Sequence, residues 1–322
     1  MKLIDIASRR TVVLSLLVCA AYATANSLLL DFSLFIIIAT AVVWVAFCLS
    51  LPLRQFLVTF LPFMLFGAIY DFMRLYPNYL VNPIDIVGLY EAEKSLFGIA
   101  TASGTLIPCE FFKLHHWPVA DLLSGIFYLC WVPLPILYGF YLYFTGRRGT
   151  ACRFASAFLF VNLIGFAGYY IHPAAPPWYV MDYGFVPDFS VGGNVAGFLR
   201  FDQLVGAEVF QSIYGKNSNV FAAVPSLHSA YVPVALYYAI KDGRSRVWIA
   251  LLALVSAGIW FSAVYSGHHY IIDVLLGISC TLFGLLLFEG IVMRLPFVRR
   301  LATLVNSYIS GHFGQTQKEI KG

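Results

Sequence analysis

A chain of 322 residues in which 60% are hydrophobic and only 11% charged is not a water-soluble globular protein, where charged residues make up about 25%. Its formal charge of +4 falls in short basic clusters beside apolar segments, so membrane topology accounts for it and no nucleic-acid partner is expected. The apolar runs are longer than the alternating strands of about ten residues that build a membrane β-barrel, and the expected fold is an all-α polytopic membrane helical bundle.

Apolar segments at about 11–30, 33–51, 55–76, 119–144, 152–171, 222–240, 247–265 and 271–293 each approach the roughly 20 residues that cross a hydrocarbon core about 30 Å thick. They predict about eight transmembrane helices. The first two are joined by Leu30-Asp31-Phe32-Ser33, a turn short enough that this hairpin also suits an interfacial position. The first run follows Lys2, Arg9 and Arg10 without a convincing cleavage site, so it reads as a retained helix.

Basic residues follow alternate segments: Arg54 after the second, Arg147, Arg148 and Arg153 around the connection after the fourth, Lys241, Arg244 and Arg246 after the sixth, and Arg294, Arg299 and Arg300 after the eighth. Lys and Arg concentrate in short cytoplasmic loops. Both termini are therefore expected in the cytoplasm, and the loops at about 77–118, 172–221 and 265–270 face the other side. The six cysteines, at 19, 48, 109, 130, 152 and 280, lie mostly in or beside apolar segments, which argues against a disulfide framework. Cys109 with His115 and His116 matches no zinc spacing, and the histidine pair suits an interfacial segment. The polar end from Gly311 to Gly322 is expected to fray.

The outward loops hold the chemistry. His172 ends the fifth segment and opens the run His172-Pro173-Ala174-Ala175-Pro176-Pro177-Trp178-Tyr179. Pro225-Ser226-Leu227-His228 opens the sixth, and Ser266-Gly267-His268-His269-Tyr270-Ile271-Ile272-Asp273 joins the seventh to the eighth. His269 and Asp273 are four apart, which puts them on one helical face within bonding reach. A carboxylate on one imidazole nitrogen fixes the tautomer and leaves the other free as nucleophile or base. An ionisable residue in an apolar segment costs about 2.5 to 3.5 kcal/mol to insert, so Asp273 reads as functional. His228 supplies a second imidazole, able to protonate a departing oxygen and deprotonate an incoming one. Pro225 and Ser226 set a helix N-terminus whose N–H groups attract phosphate. His268 is either a donor to that phosphate or a loop residue. Pro173, Pro176 and Pro177 end the fifth helix, Trp178 and Tyr179 suit a membrane interface, and the run with His172, Pro176 and Trp178 is expected to shape the lipid or acceptor pocket. The loop from Tyr183 to Asn219 is expected to cover the site.

These motifs resemble the type 2 phosphatidic acid phosphatase superfamily. Pro225 to His228 and Ser266 to Asp273 look like its second and third signature motifs. The His172 to Tyr179 run, with Glu91-x-x-Lys94-Ser95-Leu96-Phe97-Gly98, is similar to the inositol phosphorylceramide synthase branch, and the resemblance covers about 85–293. It implies a core of six helices with the active site at the extracytoplasmic interface. It also implies that His269 attacks phosphorus, Asp273 orients it and His228 protonates the leaving lipid oxygen. The parts expected are a transmembrane hairpin at 1–54, a catalytic membrane domain at 55–300 and a cytoplasmic tail at 301–322. The phosphatase branch carries Lys followed six residues later by Arg-Pro, and this chain does not. Lys94, Lys113, Arg200 and Lys216 are the outward cations left to hold the phosphate, with the N–H groups of Ser266 and Gly267 as helpers.

The expected activity moves a phosphorylated head group, phosphoinositol in that branch, from a phospholipid donor to a lipid acceptor such as ceramide through a phosphohistidine, with no metal or other cofactor. A phosphatase using water as acceptor shares the chemistry. A transporter or scramblase is the reading of another class, and the clustering of the ionisable groups at one interface disfavours it.

Overall fold

The computed structural model describes residues 7–30, 32–214 and 219–311. Lys2, Asp31, Lys216 and the tail beyond Gly311 lie outside them. The helices are α1 (Arg9–Leu29), α2 (Leu34–Leu49), α3 (Leu51–Phe72), α4 (Val87–Phe97), α5 (Pro108–Leu114), α6 (Pro118–Leu129), α7 (Pro133–Phe144), α8 (Arg148–Ile171), α9 (Pro177–Tyr183), α10 (Leu199–Val205), α11 (Val209–Tyr214), α12 (His228–Lys241), α13 (Arg246–Tyr265), α14 (Ile271–Gly290) and α15 (Pro296–Ile309). A short antiparallel hairpin, β1 (Ile99–Thr101) with β2 (Gly104–Leu106), separates α4 from α5.

The chain is a multi-pass integral membrane protein. Each of the eight predicted segments contains helix, but they differ in reach. Five helices are long and apolar enough to cross a membrane, and a sixth span results when α6 and α7, bent by 46° at their junction, count as one. Pro133 and Pro135 open α7 and explain the break, because proline withholds an N–H from the helix ladder. Helix α2, with 16 residues, and α12, with 14, are shorter than about 20 residues, the length that spans a bilayer unaided. The sixth segment was expected from 222, and its helix starts at His228. Ala222 instead pairs with Ala174 as extended chain, and Pro225 keeps the residue before it out of the helical region.

The described residues fall into two compact units. One comprises those of 1–76, 139–159 and 291–322. Its core is aromatic: Phe60 meets Phe140 edge-on at 4.9 Å, and Phe63 meets Phe158 at 4.7 Å. The expected tail is helical as far as Ile309. Gln55 Nε2 donates to the Tyr308 carbonyl at 2.8 Å, and Arg148 Nη1 donates to that of Ile309 at 2.9 Å, so two orphan carbonyls of α15 find side-chain partners.

The other unit, residues 77–138 and 160–290, holds every predicted site residue. Helices α12, α13 and α14 pack together in it. Trp260 Nε1 donates to the Ser229 carbonyl at 3.0 Å, and Thr281 Oγ1 donates to that of Ala230 at 3.2 Å. Gly277 sets the closest approach, since a Cβ there would stand 2.1 Å from the Ser226 carbonyl oxygen. Small residues serve this purpose in membrane helices, where close backbone packing replaces hydrophobic burial. Above the helix ends three extended stretches lie side by side, Asp85 beside Ala174 and Ala174 beside Ala222. Ala174 N–H donates to the Phe221 carbonyl and Ala223 N–H to that of Ala174, which places the proline run against the chain leading into α12.

Candidate active site

The turn between α13 and α14 presents the expected pair. His269 Nδ1 lies 3.3 Å from Asp273 Oδ2, one helical turn on, and Asp273 is fully buried. The same oxygen accepts the Tyr270 N–H at 3.0 Å. Because the carboxylate requires a proton on Nδ1, it leaves His269 Nε2 with its lone pair. That nitrogen is 3.1 Å from Nδ1 of His228, which makes His228 the donor in the contact. His228 opens α12, stacks on Tyr128 at 5.0 Å between centroids and meets the edge of Trp131 at 4.4 Å. Two motifs 41 residues apart thus form one chain, His228 to His269 to Asp273.

His268 occupies a different environment. Its Nδ1 contacts Ser266 Oγ at 3.1 Å, and its ring lies against Tyr214 at 4.5 Å and Phe198 at 4.9 Å. Burial, and then the charge of His269, lower its pKa to about 3, so it is neutral at physiological pH and unfit as a cationic clamp. Phe198, in the turn before α10, and Tyr214, in α11, belong to the described part of the loop that follows Tyr183, and these two rings cover His268.

Several expected contributors are placed elsewhere. The N–H groups of Ser266 and Gly267 are already bonded, to the carbonyls of Ser262 and Val264, because the turn continues the α13 ladder. Neither amide is left to help bind a phosphate. Ser226 is buried against α14, its N–H bonded to the Asp273 carbonyl at 3.0 Å and its Oγ 3.1 Å from that of Ser229. It joins the second motif to the third. His172, just beyond α8, has a half-exposed side chain whose Nε2 is 3.2 Å from Asp85 Oδ2. Pro176 precedes α9, where buried Trp178 gives its N–H to the Gly267 carbonyl at 2.9 Å. The proline run therefore reaches the turn that carries His269 through its backbone.

Of the cations expected to hold the phosphate, Lys94 lies 5.5 Å over the Tyr90 ring and Lys113 pairs with Asp182 at 2.7 Å. Arg200 Nε bonds Asp121 Oδ1 at 2.6 Å, its guanidinium lies 5.2 Å over the Tyr265 ring, and its Nη2 is buried without a hydrogen-bond partner. It lines a cavity of about 220 Å³ whose wall includes Cys109, Lys113, Trp178, Asn194 and Ser266. His115 stacks on Phe111, and His116 lies 3.3 Å from Asp121 Oδ2. Among the described residues no group of three metal-binding side chains converges.

Sequence reasoning missed three carboxylates of the site: Asp85 on His172, Asp121 on Arg200, and Glu93. The last is fully buried and accepts the N–H groups of Ile271 and Ile272 at 2.8 and 3.1 Å. Burial pushes its carboxyl up to about 6 against the pull of those two bonds. Each partner is distant in sequence, and the available signal for Glu93 is its place inside the Glu91 to Gly98 element.

Residues 105–287 match the PAP2 superfamily, a stretch that contains His172, His228, His269 and Asp273. The chain is 57% identical over 274 residues to a phosphoinositol dihydroceramide synthase of Bacteroides thetaiotaomicron, covering 85% of this chain and 90% of the relative. It is 28% identical to an inositol phosphorylceramide synthase of Candida albicans over 74% of this chain and 50% of the relative. With the inositol phosphorylceramide synthase catalytic subunit of Saccharomyces cerevisiae it shares 27% identity over 69% of this chain and 54% of the relative. The chain thus spans about half the length of these fungal relatives. No solved structure matches it. Family match, bacterial relative and site geometry agree, and the chain belongs to the PAP2 superfamily.

Proposed function

We propose that this protein is a membrane phosphotransferase that moves phosphoinositol from a phospholipid to a ceramide-type lipid alcohol. The chain His228, His269, Asp273 carries the reading, since it holds a nucleophile, its orienting carboxylate and a proton donor in one cluster. The names of the relatives support the head group and acceptor. In the first step His269 Nε2 attacks phosphorus, the phosphorus to glycerol oxygen bond breaks, and His228 gives that oxygen its proton. For this the phosphoryl group enters between the two imidazoles, which touch in the resting protein. Diacylglycerol leaves, and Asp273 stabilises the positive character of the phosphorylated ring. The acceptor hydroxyl then loses its proton to His228 and attacks phosphorus, restoring neutral His269. Cover from Phe198 and Tyr214 beside the site disfavours water as the acceptor.

The reading places the site in the 55–300 membrane domain on the extracytoplasmic face, with both termini in the cytoplasm, as the basic loops require. Arg200 is the cation that best suits the phosphorylated head group, because its side chain lines the cavity, one guanidinium nitrogen is held by Asp121 and another is buried without a hydrogen-bond partner. Arg200→Ala is expected to raise KM for the phospholipid donor about tenfold while KM for the acceptor holds. Steady-state rates with each lipid varied in turn check this.

The deciding experiment incubates purified protein with inositol-labelled phosphatidylinositol and dihydroceramide in detergent micelles. Label in a phosphoinositol ceramide-type lipid is the expected product. Release of inositol phosphate or free phosphate alone, with acceptor present, would replace transfer by hydrolysis.

A further inference from the structure

The catalytic turn has a support outside the stretch that matches the family. Glu93 sits on α4, twelve residues before that match begins at 105, and its fully buried carboxylate closes both oxygens onto α14, Oε1 on the Ile271 N–H and Oε2 on the Ile272 N–H. These are two of the four orphan donors that every helix N-terminus exposes. Cys109 adds a contact from α5, its thiol donating to the His269 carbonyl at 3.4 Å. The third motif is thus gripped from outside while Asp273 grips it from within through the Tyr270 N–H.

The arrangement does more than cap a helix. A free α14 N-terminus would present two N–H groups and the positive end of its dipole beside His269, where they would compete for the incoming phosphate. Glu93 occupies both and fixes the rotation of the first turn. That rotation decides whether Asp273 faces Nδ1 and whether Nε2 faces His228. We propose that Glu93 is a positioning residue for phosphoryl transfer, acting through the Ile271 and Ile272 amides to hold His269 in line between Asp273 and His228. The proposal rests on the phosphotransferase reading for its reaction and on the α4 to α14 contact for its geometry.

Glu93→Ala removes both acceptors. Glu93→Gln keeps the shape and one acceptor oxygen, and sets an amide N–H₂ against the other backbone donor. Wild type and both variants are compared in three measurements: kcat and KM for each lipid, the melting temperature, and hydrogen exchange of the 266–275 peptide in resting protein. The expected result is a kcat about 100-fold down in Glu93→Ala and about tenfold down in Glu93→Gln, with both KM values within twofold. The melting temperature of Glu93→Gln stays within a few degrees, and its exchange rises at Ile271 and Ile272.

Wild-type kcat in Glu93→Gln and Glu93→Ala would overturn the proposal, as would unchanged exchange at the two amides. A kcat loss in step with a collapsed melting temperature, with no partial rescue by glutamine, would overturn it in favour of a purely structural role. Should wild type hydrolyse the donor without transferring it, the transferase reading falls, and kcat for hydrolysis serves as the readout for Glu93 because the first step is common to both.

Discussion

His269→Ala is expected to abolish turnover, with a loss of at least about four orders of magnitude in kcat, the scale seen when a covalent nucleophile is removed. Its ring bridges both partners of the cluster, Nδ1 toward Asp273 and Nε2 toward His228. Fold retention is expected, because the turn itself rests on backbone bonds: the His268 and His269 N–H groups both reach the Ala263 carbonyl. Asp273→Asn tests the same assignment without removing bulk. An amide offers Nδ1 either a neutral acceptor or an N–H donor, and the second choice moves the imidazole proton to Nε2 and masks the lone pair. A loss of about 10²- to 10⁴-fold follows from that exchange of tautomers. His115→Ala, on an exposed ring stacked against Phe111, should stay within about twofold and serves as the control. Initial rates with purified protein, together with trapping of labelled phosphoenzyme, decide the matter. Normal turnover in His269→Ala would remove the nucleophile assignment.

His228→Ala is expected to cost about 10² to 10⁴ in kcat with natural phospholipid, the range general acid and base catalysis supplies. The cause lies in the leaving group, since a glycerol alkoxide departs poorly unless protonated. A donor carrying a nitrophenolate leaving group needs no such proton. With it the variant should form phosphoenzyme at close to the wild-type rate and then stall, because no base remains to deprotonate the acceptor hydroxyl. A burst of nitrophenolate equal to one per active site, followed by slow turnover, is the expected trace. Equal impairment with both donors would show that His228 acts some other way, for which its packing on Tyr128 and Trp131 offers the alternative.

The parts of this site legible in the sequence are those held within one short segment. His269 and Asp273 stand four apart, and helix periodicity alone brings them together. His228 was legible as a chemical need, and its 3.1 Å contact with His269 depends on how α12 and α14 pack. The partners that stayed hidden are joined across the fold: Asp85 reaches His172 because extended stretches run side by side, and Glu93 reaches α14 from an element 178 residues away in sequence. Residues 222–227 misled the reading for a physical reason. They are apolar enough to continue a membrane helix, and the chain around Ala222 pairs with the proline run instead, through the Phe221 carbonyl and the Ala223 N–H. Residues 119–144 look like one long span, and the prolines at 133 and 135 divide it. The loop amides of Ser266 and Gly267 looked available because no sequence pattern reveals that the preceding helix already uses them.

Gly277 gives the chemistry a mechanical gauge. It lies one turn beyond Asp273, and a methyl group there would press on the carbonyl of Ser226, two residues before His228. The spacing between the two imidazoles is therefore ruled by the thickness of bare backbone, with no flexible side chain to take up slack. Gly277→Ala should push α12 and α14 apart and silence the protein while every reactive group is intact. A survey that scores substitutions by activity alone would then count Gly277 among the reacting groups, and only a probe of phosphoenzyme chemistry, such as the nitrophenolate burst, would tell the gauge from the tools it aligns.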